Sequence, residues 1–464
     1  MKKLILVLLL LSGLTHGVFA QEPDTLKLDF KEYLSIVKKY HPLVKQASLI
    51  VEEGNFKLMK ARGAFDPKLE ADLTEKDYKS TEYYNLLGAA FKIPTYYGLE
   101  LNAKYEQNSG KYLNQQNLVP EEGLFSAGVS LDVTNGIFLS ERMAALKQAK
   151  IYREQSAMKK DLMSAEILYD ASKAYFEWFA AHQELLLYQE FLRNAEFRLK
   201  SVKISFKLGD KPAVDTLEAN IAYNNREIGL QQAELDYLKA SLKLSNYLWA
   251  ENDIPLEITS LVKPNENLFE EVNEMWLENE ITASENILQN PKIRYLEYNV
   301  AINDVEKRLR ANKLLPNINL SYNFLTEQPQ DWQRLNTEDY KFGFKFSLPL
   351  FMRKERGDLQ LAKLELESSN YELISARQEI QNKLRSLQME INSFRNQGFK
   401  IKGLVADYGK LVTAEQRKFE LGDSSLFLVN SRENSFVSAK LKEISVIVKY
   451  LKSQAELQKV TANF

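Results

Sequence analysis

The sequence predicts a mostly α-helical chain built as a tandem duplication, each half joining a block of strands to a very long helical hairpin. Three observations predict it. Ser140 to Phe206 runs for 67 residues without Gly or Pro, and as one helix it would extend about 100 Å at about 1.5 Å per residue. Glu355 to Phe419 is a second helix-like run of 65 residues, softened by Gly357, Gly398, Gly403 and Gly409. Both runs end on nearly the same signal, Phe206-Lys-Leu-Gly-Asp210 and Phe419-Glu-Leu-Gly-Asp423, with the Gly placed as a helix C-cap. Periodic stretches of this length belong to coiled coils, repeat arrays or membrane-scale devices.

The chain in order begins with Met1 to Ala20, a secretory signal: Lys2 and Lys3, an apolar run from Leu4 to Leu11, then Val18-Phe19-Ala20 as the cleavage site. The first repeat follows over residues 21–249. Asp29-Phe-Lys-Glu32 reads as a capping box opening a helix to about Tyr40. His41-Pro42 interrupts, and a second helix runs from Leu43 to Arg62. Residues 67–134 then alternate with period 2, as strands do. Leu69, Ala71 and Leu73 oppose Glu70, Asp72 and Thr74. Leu99, Leu101, Ala103 and Tyr105 oppose Glu100, Asn102, Lys104 and Glu106. Phe125, Ala127, Val129, Leu131 and Val133 oppose Ser126, Gly128, Ser130 and Asp132. The long helix occupies 140–206 and a return helix 213–249.

Residues 250–289, with Pro255 and Pro264 and a weak helical patch at Phe269 to Asn279, form the join. The second repeat, 290–464, follows the same plan. Asn290-Pro291 stands where His41-Pro42 stood, and Pro316 where Pro67 stood. Strands are expected over 317–349, with Ile318, Leu320, Tyr322 and Phe324 on one face and Phe342, Phe344, Phe346 and Leu348 alternating further on. A long helix at 355–419 and a return helix at 426–462 complete it. Gly128 to Gly209 spans 81 residues and Gly343 to Gly422 spans 79, so the strand-plus-helix module matches closely. The first repeat carries extra residues in its strand block, which predicts one added hairpin around residues 84–107.

Composition narrows the function. Of 61 Lys and Arg and 63 Asp and Glu, the export signal removes two Lys, leaving a net charge of −4. That gives no electrostatic case for nucleic acid. The absence of Cys excludes disulfides, thiolate metal sites, Cys nucleophiles and anchoring through a lipidated Cys. Past the signal no apolar run reaches the roughly 18 residues of a spanning helix, so a membrane span would have to be a closed β-barrel. The alternation also fits a half-buried soluble sheet, and the long helices fit either a solid coiled coil or a hollow tube. Tyr83, Tyr84, Tyr96, Tyr97, Tyr105, Phe324 and Tyr340 at strand ends suit an interfacial aromatic girdle.

Several motifs, in order, carry a resemblance: His41-Pro42 and Asn290-Pro291 opening each half, Ala311-Asn-Lys-Leu-Leu-Pro316 before a strand, Phe346-Ser-Leu-Pro-Leu-Phe351 before a long helix, and the Phe-x-x-Gly reversals at Phe206 and Phe419. Over residues 29–462 the chain resembles the TolC-family outer membrane efflux proteins. The resemblance implies a fold class: mostly α with a membrane β-barrel, in which tandem long α-hairpins form a periplasmic α-barrel and strands join a shared trimeric outer membrane barrel. It implies a homotrimeric passive duct embedded in outer membrane lipid, reaching into the periplasm of a Gram-negative cell. The expected partners are a periplasmic adaptor and an inner-membrane transporter, in efflux or type I secretion. The join and the chain ends would form an equatorial belt.

By the same resemblance the helix reversals form the periplasmic mouth, with Leu208, Gly209, Leu421 and Gly422 contacting the adaptor. The family often places an Asp six residues past that Gly at a constriction, which is Asp215 in the first repeat and Leu428 in the second. Asp210 and Asp423 are further gate candidates, since threefold symmetry would make each a carboxylate ring that selects cations. As residues alone, Asp210 and Asp423 read as turn formers and Asp215 as a first-turn helix acid. No enzyme is expected, and no metal or cofactor: the mature chain has two His, His41 and His182, with no nucleophile elbow, P-loop or metal-spaced cluster. The alternative reading is a soluble periplasmic long-helix scaffold or adaptor.

Overall fold

Helix α3, Glu141–Lys207, is a single 67-residue helix against which most of the fold is arranged. Ser140 caps it by accepting the Met143 N–H, and no Gly or Pro interrupts its hydrogen-bond ladder. The computed structural model describes residues 26–134, 138–282, 289–328, 330 and 338–464. The expected signal with its cleavage after Ala20, Asn135-Gly136, where the sequence predicts the end of the first strand block, and most of Thr326 to Asp339, where it predicts a polar loop, lie outside the described residues.

Two shorter helices lie along α3 on one side: α2, Pro42–Arg62, and α4, Ala213–Ser245. The second half repeats this. Helix α7, Arg353–Glu420, runs 68 residues, with α6, Pro291–Asn312, and α8, Leu426–Thr461, along it. The four glycines do not break α7, because Ile401 and Val405 bury against Ala439 and Val446 of α8 and supply the packing that intrinsic propensity lacks. Helices α6 and α8 also pack on α3, which joins the halves. The helices thus form four parallel rods in the order α2/α4, α3, α6/α8, α7.

The His-Pro and Asn-Pro pairs have a common structural reason. In both, the first residue is the N-cap and Pro is the first helical residue, where its missing N–H costs nothing. His41 Nδ1 accepts from Leu43 N–H at 3.3 Å, and Asn290 Oδ1 from Lys292 N–H at 2.9 Å.

Two expectations need correction. Asp29 is the N-cap of α1, Phe30–Tyr40, but its side chain makes no capping bond. Glu271, on α5 (Leu268–Thr282), takes that place by accepting the Lys31 N–H at 2.9 Å, so a tertiary contact replaces the local box. The return helix α4 stops at Ser245 and not at Trp249. The chain turns at Asn246 so that Leu248 buries and Trp249 bridges to Pro255.

The strands divide into two sheets. Near mid-height of α3, β1 (Leu26–Leu28) pairs in parallel with β6 (Val262–Pro264). Here the main core collects Phe30, Tyr33, Tyr175, Phe176, Trp178 and Trp276, and Lys38 Nζ of α1 donates to the Phe464 carbonyl at 3.0 Å.

At the other end of the rods lies one antiparallel sheet: β2 (Lys68–Tyr78), β3 (Thr81–Pro94), β4 (Leu99–Ser109), β5 (Leu124–Asp132), β7 (Asn317–Thr326) and β8 (Tyr340–Ser347), neighbours in that order. The first repeat therefore supplies four strands and the second two. The added pair, β3 and β4, lies in the middle of the sheet, between β2 and β5. The two repeats join where β5 pairs with β7.

Candidate functional site

Period-2 alternation puts each strand's apolar residues on one side, and pairing register decides whether the sides agree. Here they do across all six strands. One continuous row reads Leu69, Phe91, Ala103, Ala127, Phe324 and Tyr340; the next reads Ile93, Leu101, Val129, Tyr322 and Phe342. This apolar face is bare: Leu69 is 79% exposed and Phe344 61%. The opposite face carries Asp72, Lys92, Lys104, Asn323 and Lys345. Five of the six strands, at 9–14 residues, reach the roughly 9–11 residues a tilted strand needs to cross a bilayer, and β8 has 8. Aromatic groups sit at both ends: Tyr78, Tyr83 and Tyr112 cluster beyond the β2–β3 turn, and Phe65, Tyr96 and Tyr97 cluster on the helix side. Both rims of the sheet are therefore aromatic, including Tyr83, Tyr96 and Tyr97 of the expected girdle residues. Among the described residues no helix is long and apolar enough to cross a membrane.

The far ends of the rods hold the residues that the resemblance assigns to a mouth. Each long helix closes in a Schellman motif. Gly209 N–H donates to the Phe206 carbonyl and Asp210 N–H to Ser205; Gly422 N–H donates to Phe419 and Asp423 N–H to Lys418. Both glycines have φ +83°, a region that costs other residues about 1–2 kcal/mol. Leu208 and Leu421, the residues before them, are 71% and 69% exposed. Asp210 and Asp423 are exposed in the turns, and Asp215 is half-buried. Asp215 and Leu428 each occupy the third position of their return helix, behind N-caps Pro212 and Ser425, so the repeats are equivalent here in geometry and differ in charge.

A polar network that the sequence did not reveal ties the two hairpins together just above the tips. The Arg198 guanidinium on α3 makes a two-pronged ion pair with Glu433 on α8, and also donates to Asn430 at 3.1 Å. The two side chains are 12% and 3% exposed. Gln416 of α7 donates to the same carboxylate, and Arg226 of α4 to Asn434 at 2.6 Å. Apart from Gln416 and Glu433, these partners lie more than 200 residues apart and leave no local pattern. Beside this network opens a groove of about 860 Å³ lined by Glu218, Asn225, Lys400, Asn430 and Lys442.

Halfway up, Glu177 on α3 accepts from Lys243 of α4 at 2.7 Å and Lys452 of α8 at 2.8 Å. Burial works to raise its carboxyl, but the two lysines outweigh burial and hold it below the ordinary Glu value. His182 is buried, with Nδ1 unpartnered among the described residues, and burial lowers its pKa. His41 is likewise lowered by burial and stacks on Tyr247 at 5.6 Å. No group of three His, Cys, Asp or Glu among the described residues could hold a metal.

Long side-by-side helical rods continued by an antiparallel sheet with one apolar and one polar face define a subunit of a membrane channel with a helical extension. The chain belongs to the outer membrane efflux protein family, whose family model matches residues 41–248 and 283–463. The fold is similar to the outer membrane channel CmeC of Campylobacter jejuni (TM-score 0.66, 12% identity, covering 93% of this chain and 85% of that one). It is also similar to the open state of the Neisseria gonorrhoeae MtrE outer membrane channel (0.64, 14%, 95% and 89%) and to the outer membrane protein VceC of Vibrio cholerae (0.66, 11%, 93% and 95%). No curated protein sequence matches the chain.

Proposed function

We propose that three copies of this chain assemble side by side into one continuous duct, with the sheet in the outer membrane and the helical rods in the periplasm. The observation that carries this reading is that both layers end in free edges with apolar surface. On one flank α4 exposes Val214, Leu217, Ile221, Ile228, Leu235, Leu238 and Leu242, a run at heptad-like spacing. On the other flank α7 exposes Leu361, Leu364, Tyr371 and Ile374. Surface of this extent marks an association site, and a ring of copies covers both flanks at once.

In this reading the chain is exported, cleaved after Ala20 and inserted in the outer membrane of a Gram-negative cell. Residues 250–289 and the chain ends form a belt around the tube. The duct is passive and performs no chemistry. The helix tips at Leu208-Gly209 and Leu421-Gly422 receive a periplasmic adaptor that couples the duct to an inner-membrane transporter. Asp210, Asp215 and Asp423 line the mouth, with Leu428 as an apolar counterpart.

The soluble scaffold alternative would leave the whole apolar sheet face in water. Washing isolated membranes with sodium carbonate and urea tests the choice. Retention in the outer membrane fraction is expected, and release into the wash would refute the channel.

A further inference from the structure

The two free edges of the sheet differ from each other. Strand β2 carries Glu70, Asp72, Glu75 and Asp77 against Lys68 and Lys76, whereas β8 carries Lys341 and Lys345 and no acid. Asp72 and Lys345 are both exposed, and neither has an ion-pair partner among the described residues. Each edge is also a row of backbone donors and acceptors without a strand beside it.

The duplication supplies a template for filling these edges. Strand β5 precedes the first long helix as β8 precedes the second, and β2 follows its helix as β7 does. The pairing of β5 with β7, already present within the chain, thus has one counterpart that a single chain cannot make: its β8 with the β2 of a neighbour. Aligning Gly128 with Gly343 and Pro67 with Pro316 transfers the register. Val129 opposite Tyr322 becomes Phe344 opposite Leu73; Leu131 opposite Leu320 becomes Phe346 opposite Ala71. Ser130 opposite Ser321 becomes Lys345 opposite Asp72. On the bare face Phe344 meets Leu73 and Phe346 meets Ala71, and toward the outer rim Phe342 meets Glu75 and Tyr340 meets Asp77; on the polar face the opposite charges of Lys345 and Asp72 meet. At the outer rim the same register sets Lys341 against Lys76, where water and salt screen the repulsion.

We infer that β8 of one copy pairs antiparallel with β2 of the next, with Lys345 opposite Asp72, and that all six strands of each copy stand in the barrel wall. Resting on the three-copy reading above, this makes a barrel of 18 strands, with the added β3–β4 pair widening it.

The perimeter agrees. Four rods at interaxial distances of about 8–10 Å cover an arc of about 32–40 Å. Six strands about 4.8 Å apart, tilted about 40°, cover about 38 Å, and four would cover about 25 Å. Six strands therefore continue the helical layer without a step. The closed barrel is about 36 Å across between backbones, against about 24 Å for 12 strands, within the class that leaves an open aqueous channel.

The absence of Cys makes the test direct. The double variant Asp72→Cys/Lys345→Cys should, on mild oxidation of intact membranes, form covalent dimers and trimers, since opposed Cα atoms lie about 4.5–5.5 Å apart. Leu73→Cys/Lys345→Cys, with side chains on opposite faces, should not. Lys345→Glu should lower trimer yield and Asp72→Lys in the same chain should restore it. Electron cryo-microscopy of detergent-purified trimers should count 18 strands. Membrane-retained trimers that do not cross-link at 72–345, or that show 12 strands, would overturn this inference and leave the duct standing. A carbonate-released monomer would overturn both.

Discussion

Removing the Glu433 carboxylate should loosen the helix tips far more than removing the whole ion pair. In the native protein Glu433 is 3% exposed and receives two hydrogen bonds from Arg198 and one from Gln416. In Glu433→Ala, Arg198, 12% exposed in the native protein, loses its carboxylate partner and keeps the Asn430 contact, leaving a nearly buried charge without that counter-ion. Breaking a buried pair from one side costs about 3–5 kcal/mol, whereas replacing both partners by apolar groups of similar volume is close to neutral. At about 1.4 kcal/mol per factor of ten, Glu433→Ala should raise the opening equilibrium of the α3–α8 contact roughly a hundredfold to a few thousandfold. Arg198→Met/Glu433→Leu should stay within about tenfold of the native protein. Native-state hydrogen exchange of amides around 195–205 and 428–436 reads this opening directly. Unchanged exchange in Glu433→Ala would refute the account. Equal loss in the double variant would show that the site works through side-chain volume and not through charge.

Three further outcomes are expected. Asp215→Ala should raise the conductance of the closed channel in planar bilayers, and unchanged conductance and ion selectivity would remove Asp215 from the gate. Gly209→Val or Gly422→Val should abolish export while trimers still form: a Cβ meets nothing within 4 Å at either position, so the cost is confined to the φ +83° reversal and its tip geometry. Full export by both variants would dismiss the reversal as a critical feature. The lowered Glu177 carboxyl contributes stability that is complete above its ordinary value of 4.5 and is lost as pH falls through the lowered one. Melting of Glu177→Gln should therefore fall below the native protein at pH 7 and converge with it on acidification, and a pH-independent difference would contradict the lysine clamp.

Much of this fold is written in contiguous stretches. Sixty-seven residues without Gly or Pro make one helix, and Gly209 and Gly422 end the long helices because only Gly takes φ +83° at little cost. Alternation in β2, β4, β5, β7 and β8 was legible because side chains of a strand point to opposite faces with period 2. The added hairpin was visible as surplus length. These signals depend on propensity and period, which neighbouring residues carry between them.

Tertiary structure alone decided the remainder. It placed β3 and β4 inside the sheet, aligned the apolar faces of six strands by register, set the order of the four rods, and let Glu271 cap a helix more than 200 residues away. It also brought Arg198 to Glu433, a pairing no local pattern announces. The physical reason is the same throughout. A strand's alternation says which side chains share a face and not which strand lies beside it, and a helix's stripe says what it must cover and not what covers it. Those choices belong to the packing of distant segments.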